Sequence, residues 1–354
     1  MMGFIPSEGK PGDSGFSRWG RIWWGIFIGM SVILAFSFFL SGCSQPKKSK
    51  EPIRIGINVW AGYAHAFIAQ EKGLFKKNKV DVKLILCRKY TESQDLYLNG
   101  EIDGVFEVFP DTIFHNAEGI PTRVVYIADF SDSGDVIIGR PEFQSLSDLK
   151  GKKVGIGGIN NFSHLFVYKA LEKSGLSEVE MRFALIPAEE VLTDLEEGRI
   201  AAGHTWEPFL SAALKKGYRI LGKAGQVPGI ITDVLVFNSR VIAERPDDIT
   251  AIVRSLFEAR DFLITNRDEA LDIIVQQEEM GKEELNQGLS GIHQLDVWEN
   301  AMNMKKNGQQ DSLYTLGTAI IQFYLDRGQL SRIPRLEEII DPVFVDQVAP
   351  RSSP

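Results

Sequence analysis

From residue 53 to about 237 the chain alternates short β-branched or apolar runs with stretches whose apolar residues recur at helical spacing. This is the pattern of a mostly parallel sheet covered by helices. The first series predicts strands over 53–59, 80–86, 104–108 and 124–127, with helices over 63–72, 92–99 and 110–118. Gly100 and Gly119 stand where glycine ends a helix, and Pro110 stands where proline opens one. A second series restarts with strands over 135–139, 153–156, 181–186 and 200–204 and helices over 162–174, 188–197 and from Pro208 to about 216. An extended segment over 229–237 follows, and from Pro246 the spacing is helical, over 247–265, 267–277, 282–289 and 312–327. Two similar βα series and a helical carboxyl third predict two lobes, which suits a chain at the length where a single core divides.

Ahead of this body an apolar run from Ile22 to Phe39 is preceded by Arg18 and Arg21 and closed by Leu40-Ser41-Gly42-Cys43. A basic start, an apolar stretch and small residues beside a thiol follow the order of an export signal. The segment resembles the lipobox of bacterial lipoproteins, with leucine three residues before the modified cysteine. That resemblance implies removal of residues 1–42 and lipid on Cys43, placing the remainder outside the cytoplasm and attached to a bacterial membrane. An uncleaved anchor is the alternative, because the run nearly spans a bilayer and Trp19, Trp23 and Trp24 suit its headgroup region. Residues 43–50, with Lys47, Lys48 and Lys50, read as a solvated tether.

Removal of residues 1–42 takes out three basic and two acidic groups, moving the formal net charge from −8 to −9. Such a surface excludes nucleic acid as a partner. With Cys43 committed to lipid, Cys87 has no partner for an intrachain disulfide and reads as a buried small side chain. A monomer is expected.

In open α/β sheets the residues just after each strand face a shared crevice, which selects the binding candidates. After the first strand come Asn58, Trp60, Ala61, Gly62 and Tyr63. Trp60 offers an apolar wall and the N–H groups near Gly62 and Tyr63 suit an acidic group; a plain turn with Trp60 in the core is the alternative. The segment from Gly155 to Ser163 follows a strand and opens a helix, where free amides favour an anion, with Asn160, Asn161 and Ser163 as donors or caps. Its spacing lacks the third glycine of a dinucleotide fingerprint, so no cofactor is expected. Ser131 and Ser133, with the carboxylates of Asp132 and Asp135, lie at the first connection between lobes, as ligand contacts or as parts of a polar turn. In His204-Thr205-Trp206-Glu207-Pro208, Trp206 suits stacking on a ligand, and Glu207 either holds an ammonium or ring N–H or favours the helix start by its charge. Glu107, Asp111 and Asp233 are further acids at strand ends. The five histidines show no paired ligand spacing and no G-x-S-x-G elbow occurs, so neither a metal site nor a catalytic residue is expected.

Taken together, Ile57-Asn58-Val59-Trp60-Ala61-Gly62, Ala69-Gln70-Glu71-Lys72-Gly73-Leu74-Phe75, Gly100-Glu101-Ile102-Asp103-Gly104, the stretch from Ser131 to Asp135, Ser147 to Val154, and Leu195 to Pro208 carry a likeness. The chain resembles the solute-binding proteins of the nitrate, sulfonate, taurine and thiamine-pyrimidine import family over most of residues 51 to about 275. The resemblance implies an α/β, type II periplasmic-binding-protein fold with two lobes of mixed sheet, a two-segment hinge and a helical carboxyl region. Residues 51–130 and 233–354 would form one lobe and 131–232 the other. It implies capture of a small polar solute (sulfonate, taurine, nitrate or pyrimidine-like) and delivery to an ABC permease, without catalysis. Trp60 and Tyr63 would contribute from one lobe, and Asn160, Ser163, Trp206 and Glu207 from the other. Gly198-Arg199-Ile200-Ala201-Ala202-Gly203-His204 departs from the family's G-x-x-D-A pattern, which loosens the solute inference. The alternatives are a sensor that passes closure to a membrane kinase, and a pyrimidine-forming enzyme of the same fold.

Overall fold

In the computed structural model, which describes residues 51–278 and 280–349, eleven strands fall into two mixed sheets. The export signal, Cys43 and the tether lie outside the described residues. The first sheet contains β1 (Ile53–Asn58), β2 (Val82–Cys87), β3 (Gly104–Val108), β4 (Thr122–Ser131), β10 (Thr232–Asn238) and β11 (Ile292–Gln294), in the order β11-β4-β10-β3-β1-β2. The second contains β5 (Val136–Gly139), β6 (Lys153–Ile156), β7 (Arg182–Leu185), β8 (Ala202–Thr205) and β9 (Arg219–Lys223), in the order β7-β6-β8-β5-β9. Each sheet has three parallel strands beside an antiparallel one, β10 in the first and β5 in the second. The chain therefore crosses between sheets twice, after β4 and again before β10.

The alternation of Ile53, Ile55 and Ile57 buries β1 against its covering helices, and β10 is buried along nearly its whole length between β3 and β4. The long helix Pro246–Thr265 buries Ile249, Ile252, Leu256 and Leu263 at helical spacing and packs on helix His65–Glu71. Helix Leu313–Asp326 packs on helix Phe109–Ala117. The carboxyl helices thus cover the first sheet.

The predicted strands are all present, but β4 runs on to Ser131, four residues past its expected end. It does so because β10 and β11 both pair with its carboxyl half, which the acid at Asp129 disguises as a loop. The short strands β9 and β11 were not expected; each gains its hydrogen bonds from a partner distant in sequence. The helix expected over 63–72 starts at His65, after a turn closed by the Tyr63 N–H on the Trp60 carbonyl, 3.0 Å.

The first crossing is pinned by one backbone oxygen. The Gly291 carbonyl accepts the N–H groups of Asp132, Ser133 and Gly134 at 3.0, 2.9 and 3.0 Å. A side chain at 291 would place its Cβ 2.6 Å from the Gly134 nitrogen, and backbone cannot yield as a side-chain tip can. Gly291→Ala is expected to cost about 2 kcal/mol or more of stability, in the range of overpacked sites, read by urea denaturation; a wild-type midpoint would show that this contact is not close.

Candidate functional site

The turn after β1 and the segment after β8 bring Trp60 and Trp206 edge to face, 6.4 Å between ring centroids. Together with Asn58, Tyr63, Tyr90, Asp135, Phe162 and Asp233 they enclose a narrow crevice lined from both sheets. A second narrow space adjoins it past Phe162 and Trp206, reaching Asn161, Ser163 and His204. Tyr90 and Phe162 close the seam between them at 5.0 Å. Three buried polar atoms of residues lining the first space lack any partner, Trp206 Nε1–H, Asn58 Oδ1 and Asp233 Oδ2.

Four buried carboxyl groups surround this space. Asp129 on β4 and Asp233 on β10 are register partners across the two strands, so their side chains emerge together on one face. A bulge at Ala128 sets that register, and the Asn300 amide holds it by accepting the Ile127 N–H at 2.7 Å and donating to the Ile127 carbonyl at 2.9 Å. Asp129 accepts the Trp60 indole N–H at 3.2 Å, and Asp233 accepts the Tyr63 hydroxyl. Gly62 is required here, because a Cβ at that position would lie 1.8 Å from Asp129 Oδ2 and 2.5 Å from Trp60 Nε1. Burial, reinforced by Asp135 nearby, pushes the Asp129 carboxyl up to about 8, against the indole hydrogen bond. Burial likewise raises Asp233, with Asp129 and Asp135 adding to it, and holds the Tyr63 phenol protonated.

Of the other two acids, Asp111 ties the sheets together and Asp135 stays within the second. Asp111, in helix Phe109–Ala117, accepts the Tyr90 hydroxyl at 2.7 Å and, from across the crevice, the Phe162 N–H at 2.7 Å. Burial lifts its carboxyl to about 7 even though both donors favour the charged form. Asp135, just past the first crossing, bonds His204 Nε2 at 2.8 Å, and His204 Nδ1 bonds Ser163 Oγ at 2.8 Å. This chain has the composition of a nucleophilic triad, but Ser163 also accepts the Gly157 N–H at 2.9 Å and is buried at the helix start. It positions the floor of the crevice.

Of the residues chosen from sequence, the structure brings Trp60, Tyr63, Trp206 and Asp233 to the first space and Asn161 and Ser163 to the second. It does not bring Glu207 there: that carboxylate accepts the Ser211 N–H at 3.0 Å and hydroxyl at 2.9 Å, capping helix Phe209–Lys215 locally. Ser131 Oγ accepts the Asp135 N–H at 3.0 Å within the crossing turn, and Ser133 is held by its backbone on Gly291. Asn160 sits in the turn at φ 61°, its N–H directed to His164 Nδ1 at 3.4 Å. Several of the amides expected to receive an anion are also in use. Asn161 caps the His164 N–H at 3.1 Å, Asp111 takes that of Phe162, and the Tyr63 N–H closes its own turn. Asp135, in the polar segment at the first connection, also reaches the first space, whereas Asp129 and Tyr90 were not singled out as contacts and only the fold reveals them.

The two sheets and their double crossing make a periplasmic-binding fold. The ligand-binding component of an ABC-type import system from Staphylococcus aureus matches with a TM-score of 0.70 at 17% identity, over 84% of this chain and 98% of that one. The periplasmic aliphatic sulphonate-binding protein of Escherichia coli matches at 0.67 and 16%, over 84% and 100%. At these identities the likeness is one of fold. Residues 60–270, more than half of the chain, match the NMT1/THI5-like family, and the protein belongs to that family. A putative thiamine biosynthesis protein of Haemophilus influenzae is 24% identical over 320 residues, 87% of this chain and 98% of that one. The formylaminopyrimidine-binding protein of Halalkalibacterium halodurans is 21% identical over 268 residues, 71% and 78%.

The raised acids set a direction for stability against pH. An unfolded aspartate titrates near about 4, so the native state holds extra protons between there and about 7 for Asp111 or 8 for Asp129. Their contribution is complete in acid and is lost as pH rises through the folded values. His65, which burial holds down at about 4, opposes this only below its unfolded value near 6.5. The melting temperature is therefore expected to fall from pH 6.5 to 8.5, and Asp129→Asn to flatten the fall; a wild-type profile that rises over this interval would contradict the assignment.

Proposed function

We propose that the protein is the extracytoplasmic solute-binding subunit of an ABC importer. As a monomer, it would hold a small polar solute between two lobes, residues 51–130 with 233–354 and residues 131–232, and hand it to a membrane permease. The lobes swing about the crossings after β4 and before β10, and Cys43 carries the lipid that keeps them at the membrane. Among the described residues no helix is long and apolar enough to cross a membrane. The observation that carries this reading is the crevice itself, at the carboxyl ends of β1 and β8, walled by indoles from both sheets and holding buried polar atoms without partners.

Its chemistry favours a nitrogen-bearing, pyrimidine-like solute over sulfonate, taurine or nitrate. The helix start that would receive an oxyanion already holds Asp111, and the carboxyl pair at Asp129 and Asp233 repels anions while offering acceptors to N–H groups. A formylaminopyrimidine-binding relative supports the same class. Closure proceeds without chemistry: Ser163 is engaged as an acceptor and His204 is held between Ser163 and Asp135. A solute that touches both lobes shifts the balance between open and closed states by its differential contacts.

Thermal-shift titration of the full chain against 4-aminopyrimidine, taurine, ethanesulfonate and nitrate tests the class, because a ligand of the native state raises the melting temperature. Only the pyrimidine is expected to do so. Trp206→Ala should weaken its binding at least tenfold by calorimetry while leaving the circular dichroism unchanged; undiminished affinity removes Trp206 from the site.

A further inference from the structure

Each member of the Asp129–Asp233 pair has one oxygen met by a donor and one met by none. Trp60 and Tyr63 serve Asp129 Oδ2 and Asp233 Oδ1, leaving Asp129 Oδ1 and Asp233 Oδ2 unpartnered at 0% and 2% residue exposure. The surroundings offer little compensation. Asp135 faces the pair from the first crossing and adds negative charge, and His204 from β8 is bonded to Asp135. Gln294 of β11, the register partner of Asp129 on its other side, is neutral. The charge of Arg260 acts on Tyr126 and His65. Among the described residues no lysine or arginine is ion-paired with Asp129, Asp135 or Asp233. Two ionised carboxylates cannot share such a place, and one proton between them removes the conflict.

We infer that Asp129 and Asp233 hold one proton between them in the empty crevice, and that a solute bearing a cationic N–H group displaces it, so that capture releases a proton. The inference rests on the crevice being the solute site. The balance is simple: the pair carries one negative charge with its proton, and two negative charges against one positive when the cation's N–H groups replace it. The net charge of the crevice is the same before and after, and the proton passes to buffer. Burial, which raises both carboxyl groups, keeps the proton in place at neutral pH. Neutral solutes would bind without proton exchange, so the pair reads the charge of its ligand as well as its shape.

Benzamidinium is a suitable probe, being planar, aromatic, rich in N–H groups and cationic throughout the working range. Calorimetry of the full chain at pH 7 in two buffers of different ionisation enthalpy is expected to give release of close to one proton per benzamidinium bound. Its affinity should rise about tenfold from pH 6 to pH 7, the slope that one released proton imposes. Infrared difference spectra of aspartate-labelled protein should show, beside the band of Asp111, a protonated carboxyl component that benzamidinium removes, and that is absent from an Asp129→Asn, Asp233→Asn double variant whose cooperative unfolding is retained. Binding without proton release, or an empty protein lacking that component, overturns the shared proton and leaves the solute site standing. Failure of benzamidinium to bind at either pH overturns the displacement. Binding of ethanesulfonate in its place, lost in Trp206→Ala, overturns the nitrogen-bearing class beneath it.

Discussion

A carboxylate taken out of water must be met by donors or give up its charge, and the crevice is organised around four that are buried together. Asp111 is met by Tyr90 and by the backbone of Phe162, Asp129 by Trp60, Asp233 by Tyr63, and Asp135 by His204. Most of these donors are the aromatic side chains that form the walls. The demand of the acids therefore fixes the indole, phenol and imidazole rings in place before any solute arrives, which is the preorganisation a binding site needs. The same demand joins the sheets, since the donor that Asp111 recruits at Phe162 stands on the opposite side of the crevice.

The arrangement reverses the usual use of a helix start. Exposed amides at the amino end of helix Phe162–Lys173 would ordinarily draw an anion, yet the first of them is given to a carboxylate of the protein itself. What the buried side chains leave open to a solute is a set of acceptors, together with the Trp206 N–H. A planar molecule with several N–H groups and one acceptor matches that set; a sulfonate, with acceptors alone, does not. The fold is shared with sulphonate-binding proteins.

Much of this architecture is legible in the chain. The alternation through Ile53, Ile55 and Ile57, the cap at Asn161 ahead of a helical run, and the rule that strand ends face a crevice locate most strands, the Phe162–Lys173 helix, and both Trp60 and Trp206. The acid pair is hidden for a physical reason. Asp129 ends an apolar run and reads as a loop residue, and it meets Asp233 only because β10 returns antiparallel from about a hundred residues away with a bulge in β4 setting the register. The Asp111–Phe162 bond likewise spans 51 residues. Glu207 misleads in the opposite direction: it looks like a site acid after a strand, while Ser211, four residues on, is the local signal that the carboxylate is a cap. Periodicity and end rules report what neighbours in sequence decide, whereas charge at the centre of a fold is decided by partners that sequence distance conceals.

The central claim is that the crevice between the sheets receives N–H groups and offers one of its own. The indole resonances of Trp60 and Trp206 in nitrogen-15 correlated spectra of the full chain report this most directly. Titration with 4-aminopyrimidine should shift the Trp206 indole signal downfield as its N–H gains an acceptor and perturb that of Trp60, with ethanesulfonate leaving both in place. Movement of both signals with ethanesulfonate, and none with the pyrimidine, would contradict the account.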